Sequence, residues 1–219
     1  MSPPCLSRGV LVAFEGIDGT GKSTQVERLT AIFRALGYDV LARREPTDSP
    51  WGRRLREAMH VRRRLLSPAQ ELDLFLLDRR YDVAAHIRPA LAAGKLVLLD
   101  RYYFSTMAYQ GARGLDPEEI RRQNEAFAPV PDLVVVLLLD PAQALARIRQ
   151  ARGHTDEVFE REGYLRRVEE GFRSLQAPYI YPLAADRPID VVTAAVQRKI
   201  QKILDIFSLT PPSPALGMR

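Results

Sequence analysis

The chain has 219 residues, 46% of them hydrophobic and 27% charged, with a formal net charge of +5. That is enough apolar material for one α/β domain with a sizeable core, and too even a balance for a disordered or fibrous chain. A single cysteine, Cys5, excludes an internal disulfide and a cysteine-built zinc site, and no apolar run reaches the length that spans a bilayer.

Residues 1–8 are expected to be a flexible N-terminus ahead of one domain, 9–208. Val10 to Phe14 is an apolar run that reads as a buried strand. Gly16-Ile17-Asp18-Gly19-Thr20-Gly21-Lys22-Ser23 follows and fits G-x-x-x-x-G-K-[ST], the loop that cradles phosphates. A helical pattern then runs from Lys22 to about Leu36 and stops at Gly37. In this context the glycines let backbone N–H groups close on phosphate oxygens, and the helix N-terminus adds its positive end. Lys22 is suited to the β- and γ-phosphates and the Ser23 hydroxyl to Mg²⁺.

The spacing predicts a second strand over Tyr38 to Ala42, a loop with Pro46 and Pro50, and a short helix over Trp51 to Met59. Ser67-Pro68-Ala69-Gln70 reads as a capping box opening a helix to about Ala93, which Pro89 is expected to kink or shorten. A third strand, Leu96 to Leu99, ends in Asp100-Arg101. Asp116 caps another helix, and a fourth strand covers Leu133 to Leu139. Helices over about 142–151 and 157–176 follow. Tyr179 to Leu183 contains Pro182 and suits only an edge strand; a last helix covers 190–207. The Pro-rich tail, 209–219, is expected to be disordered. Alternating strands and helices imply a parallel five-stranded sheet with helices on both faces.

Ligands of such sheets sit beyond the carboxyl ends of the strands. Those ends carry the phosphate loop, Arg44-Glu45-Pro46-Thr47, Asp100-Arg101-Tyr102, and, past the fourth strand, Arg147, Arg149 and Arg152. ATPases, GTPases and kinases all use the loop, but a second set of arginines suits a phosphorylated acceptor.

The ordered set formed by the loop, Arg44-Glu45-Pro46, the helix segment from Glu71 to Arg79 with Phe75, and Asp100-Arg101-Tyr102 followed by Ser105 and Tyr109-Gln110-Gly111 resembles the thymidylate kinases. The likeness runs from about Val10 to Val196. It implies a P-loop NTPase-like α/β fold with a lid at about 147–158, and transfer of the ATP γ-phosphate to dTMP with Mg²⁺. Carried over by position, ATP would be held by Gly16, Ile17, Asp18, Gly19, Thr20, Gly21, Lys22, Ser23 and Thr24, with Asp186 and Arg187 flanking adenine. Mg²⁺ would lie near Ser23 and Asp100. For dTMP the resemblance implies Asp18, Glu45, Pro46, Leu55 as an apolar wall, Phe75 stacking on thymine, Arg79 on the base, and Arg101 on the 5′-phosphate. It adds Ser105, Gln110 and Tyr109, the last packed where a 2′-hydroxyl would clash.

Each role has a plainer counterpart. Phe75 suits a core position in a run of leucines, Arg79 a surface ion pair with Asp78 or Asp82, and Asp100 a helix N-cap. Some family members carry an arginine inside the phosphate loop. Here that slot is Gly19, so the lid, through Arg149 or Arg152, is expected to supply the catalytic arginine beside Lys22, Asp18 and Arg101. Kinases of dUMP or of a deoxynucleoside are the enzymatic alternatives. The net charge also suits a nucleotide-gated nucleic-acid binder, but the arginines form no single patch, so neither nucleic acid nor membrane is an expected partner. The resemblance implies a homodimer through long helices. The lack of a long apolar leader leaves the cytoplasm as the expected compartment.

Overall fold

Val10–Glu15 (β1) is buried along its whole length, as its unbroken apolar run requires of a strand covered on both faces. The computed structural model describes residues 6–60, 66–152 and 158–208, apart from the side chains of 59–60, 151–152 and 158–161. Lys22–Ala35 (α1) follows the phosphate loop, and the chain leaves it through Gly37 at φ 90°, a conformation that favours glycine. The second strand is Val40–Arg44 (β2), two residues later than expected. Tyr38 instead packs edge-on against Phe33 of α1, with ring centroids 5.8 Å apart. Arg43 and Arg44 extend the strand because it lies at the sheet edge, where charged side chains keep access to solvent.

Pro50–His60 (α2) precedes Pro68–Asp82 (α3), whose N-terminus is closed by the expected capping box between Ser67 and Gln70. The single helix expected to reach Ala93 is divided. A π-helical turn, Val83–Ile87, separates α3 from Arg88–Ala92 (α4), which carries Pro89 in its first turn. Proline lacks the N–H that a continuous helix needs there, and the wider turn upstream absorbs the mismatch. Leu96–Asp100 (β3) is fully buried. Tyr103–Gly111 (α5) is a helix that periodicity does not reveal, because burial on nearly every side leaves it no polar stripe.

Pro117–Glu125 (α6) is capped by Asp116, which accepts from the Glu118 N–H at 2.9 Å. Leu133–Leu138 (β4), Pro141–Arg152 (α7), Val158–Arg173 (α8), Ile180–Ala184 (β5) and Ile189–Phe207 (α9) complete the described chain. The strands form one parallel sheet in the order β2-β3-β1-β4-β5. Pro182 is tolerated because β5 is an edge. Leu6, within the expected flexible N-terminus, bridges Ser208, and the Ser7 N–H donates to the Phe207 carbonyl at 2.8 Å. The lid residues 153–157 and the tail 209–219 lie outside the described residues. No helix among the described residues is long and apolar enough to cross a membrane.

Candidate active site

Because β1 and β3 are neighbours with Phe14 opposite Asp100, the phosphate loop and Asp100-Arg101 emerge side by side. Lys22 is buried and its ammonium donates to the carbonyls of Gly16 and Ile17 at 2.9 and 2.8 Å. Burial, and then the Arg101 guanidinium, push it down to about 7. Thr20 is buried and donates to the Ile17 carbonyl, while Thr24 is exposed. Ile17 contributes its backbone here; its side chain belongs to the core. Gly19 has φ +85°, and a Cβ there would come within 2.6 Å of the Ala144 carbonyl of α7. The loop therefore packs directly beneath the helix that carries Arg149.

The Ser23 hydroxyl meets Asp100 Oδ2 at 2.5 Å, and Arg44 Nε stands 3.8 Å from the same oxygen. Asp100 does not cap a helix; the residue at that position of α5 is Tyr102. A hydroxyl and one carboxylate beside a phosphate loop are hard oxygen donors, and Mg²⁺ usually takes one or two carboxylates plus substrate phosphates, so these residues fit the ion.

Arg101 is the one non-glycine among the described residues in the left-handed region, at φ 74°. Such a conformation costs about 1–3 kcal/mol and persists where surrounding contacts enforce it. Its guanidinium donates to Asp18 at 2.6 Å, to Ser105 Oγ at 2.9 Å and to the Gly16 carbonyl at 3.3 Å. Glu15, absent from the expected site, organises this turn. Fully buried, it accepts from the Tyr102 N–H at 2.8 Å and from Ser105 Oγ at 2.5 Å. Burial pushes its carboxyl up to about 7, against the Ser105 bond and the Arg101 charge. Tyr109 lies with its ring 5.2 Å from the Arg101 guanidinium, its hydroxyl buried without a hydrogen-bond partner among the described residues. Burial pushes that phenol up to about 12.

The plainer alternative for Arg79, a surface ion pair with Asp78 or Asp82, is not what forms. Arg79 is 1% exposed and forks onto Glu45, with Nε and Nη2 at 2.9 and 2.6 Å from Oε2. Burial raises Glu45 to about 7 despite the Arg79 charge. Asp78, beside it in sequence, serves another purpose. It accepts from the Thr47 N–H, the Thr47 hydroxyl and the Ser49 hydroxyl, fixing the loop after the cis Glu45–Pro46 bond. Gln110 donates to Glu71 at 2.9 Å. Phe75 is half-buried and faces the cleft, whereas Leu55, expected as a wall, is fully buried and is not among the lining residues.

Of these groups, Asp18, Ser23, Phe75, Arg79, Arg101 and Tyr109 are among those lining one cleft of about 1870 Å³, whereas Lys22, Glu15 and Asp78 lie behind its lining. Asp186 and Arg187 are exposed on the turn after β5, outside that lining. Arg147 donates to the Ala185 carbonyl at 2.9 Å, tying α7 to the same turn. Arg149 is half-buried, and its Nε has no hydrogen-bond partner among the described residues. Arg152 ends α7, and its side chain lies outside the described residues. Glu15 and Asp78 escape sequence reasoning for different reasons. The first lies just outside the motif, as the last residue of β1 before Gly16, and the second is overshadowed by Arg79.

The family model for thymidylate kinase matches residues 14–196. A thymidylate kinase of Akkermansia muciniphila is 48% identical over 193 residues, covering 88% of this chain and 92% of the relative. One of Desulfotalea psychrophila is 43% identical over 196 residues, covering 90% and 96%. A probable thymidylate kinase of Archaeoglobus fulgidus is 40% identical over 197 residues, covering 90% and 97%. With the loop, the Asp100-Arg101 turn and the buried Arg79 in one cleft, and likeness along nearly the whole domain, the chain belongs to the thymidylate kinase family.

Proposed function

We propose that the chain transfers the γ-phosphoryl group of ATP to the 5′-phosphate of dTMP, giving dTDP and ADP. One observation carries the reading: a single cleft joins the phosphate loop, through Arg101, to Phe75 and the buried Arg79–Glu45 pair. In-line transfer between two anions is chiefly positioning and charge compensation. Lys22 leaves the Gly16 and Ile17 carbonyls for the β- and γ-phosphates. Arg101 holds the acceptor phosphate through its planar fork. Asp18 lies beside Arg101 near the acceptor sugar, and Tyr109 packs where a ribose 2′-hydroxyl would clash. Phe75 offers its face to thymine. Mg²⁺ bound with ATP, held by Ser23 and Asp100, supplies neutralising charge on the phosphates. Asp186 and Arg187 flank the adenine.

The arginine missing from the loop at Gly19 is supplied by α7, through Arg149 or Arg152. Support comes from the packing of Gly19 under Ala144 and Ile148, which brings the helix that carries Arg149 against the loop, and from the Arg149 Nε, which has no hydrogen-bond partner among the described residues. The protein works in the cytoplasm on small-molecule substrates, without nucleic acid or membrane. It forms a homodimer through α3. Leu72 and Leu74 of that helix are buried within the chain, so the surface available is Leu77 and Tyr81, 42% and 43% exposed.

The test is ADP release with ATP and Mg²⁺ across dTMP, dUMP, the ribose form of TMP, dGMP and thymidine. Preferred use of dTMP, weak use of the ribose form and none of thymidine are expected. Turnover of thymidine in place of dTMP overturns the reading.

A further inference from the structure

Arg79 has more neighbours than Glu45, and they decide how it presents itself to the cleft. A guanidinium carries five N–H groups in a fixed plane. Nε–H and one Nη2–H are taken by Glu45, and the other Nη2–H points to Thr106 Oγ1 at 3.2 Å. Nη1 donates to Asn124 Oδ1 at 2.6 Å. Among the described residues, one Nη1–H of Arg79 remains, and Arg79 lines the cleft.

Asn124 is well suited to holding that geometry. It is fully buried on α6, and its Nδ2 donates to the Ile120 carbonyl at 2.7 Å. Its amide has one consistent orientation. Arg79 offers only donors and the Ile120 carbonyl only an acceptor, so a flipped amide would face donor to donor and oxygen to oxygen. Glu45 sets the long edge of the guanidinium, and Asn124 sets the far nitrogen.

We propose that Asn124 is a positioning residue for base selectivity: it holds Arg79 so that its one remaining N–H faces an acceptor at the 4-position of the pyrimidine. This rests on the reading of Arg79 as the group that meets the base. A 4-keto oxygen accepts that bond. A 4-amino group presents a donor to a donor, and a buried arginine held on three sides cannot turn away. Sites built around a buried hydrogen-bonding group discriminate strongly against a mismatched partner, because the group is left unpaired.

The experiment compares kcat/KM for dTMP and dCMP in the wild type, Asn124→Ala, Asn124→Asp and Arg79→Ala, with KM for ATP and thermal unfolding in parallel. Asn124→Asp keeps an oxygen facing Nη1 but loses the donor to Ile120, so it separates positioning of Arg79 from anchoring of α6. The expected result is a dTMP-over-dCMP ratio lowered about ten-fold or more in Asn124→Ala, the loss of about one buried hydrogen bond. It should appear in the KM for dTMP, with the KM for ATP unmoved, and Asn124→Asp should restore the wild-type ratio. An unchanged ratio in Asn124→Ala, or Asn124→Asp behaving like Asn124→Ala, overturns the proposal while leaving Arg79 its role. If Arg79→Ala itself leaves the ratio unchanged, the base-reading role fails, and the proposal with it. Should Asn124→Ala not fold, Asn124→Ser, whose hydroxyl is too short to meet Nη1, carries the same comparison.

Discussion

The Ser23 hydroxyl and Asp100 Oδ2 lie 2.5 Å apart, joining the first turn of α1 to the end of β3. Neither side chain is near the other in sequence; the β1–β3 pairing brings them together. If the pair holds Mg²⁺, Asp100→Asn should raise the Mg²⁺ concentration for half-maximal activity by about 10- to 100-fold, the scale typical of lost metal-orienting groups. Ser23→Ala should move it the same way. A Mg²⁺ titration of initial rates checks both, and unchanged curves remove these residues from the metal site.

Arg149→Ala and Arg152→Ala address the lid. The one that stabilises the transferring phosphoryl should lose about 10³-fold or more in kcat, with a far smaller change in KM for dTMP. The other should stay within a few-fold. Single-turnover rates with saturating ATP measure this, and two near-normal variants would show that charge compensation comes from elsewhere.

Gly19 couples the loop to α7 by close approach. Gly19→Ala places a Cβ against the Ala144 carbonyl at 2.6 Å and forces a side chain onto φ +85°. The left-handed conformation alone costs roughly 1–2 kcal/mol, so KM for ATP should rise about ten-fold or more. An arginine at this position should be worse still, because its side chain starts in the same clash. Recovery of activity in a Gly19→Arg, Arg149→Ala double variant would contradict this account.

Glu15 links the site to pH. Its folded carboxyl is raised by burial from 4.5 to about 7, so in that window the folded state holds a proton that the unfolded state has released. Its contribution is fully present below 4.5 and is lost as pH rises through about 7. Glu15→Gln has no such group. The stability of the wild type relative to Glu15→Gln should therefore fall across the window by on the order of 3 kcal/mol. Urea unfolding at both ends of the range reads the difference, and a pH-independent gap would mean that Glu15 stays ionised when folded.

By itself the sequence determined the elements with a period or a signature. The apolar runs of β1, β3 and β4, the Ser67–Gln70 cap and the phosphate loop are local features, readable from side-chain types at fixed spacing. The candidate site residues were legible through the loop motif and the resemblance of three further segments. Tertiary structure decided what each neighbour does. Helix α5 was invisible because burial on nearly all sides erases amphipathic contrast. Arg79 and Asp78 stand side by side in one helix, yet one turns to Glu45 and Asn124 and the other to Thr47 and Ser49. Adjacent helical residues point in different directions, and their partners arrive from distant segments. A buried charge must find such partners to be tolerated, and which ones it finds is a property of the packed sheet and helices.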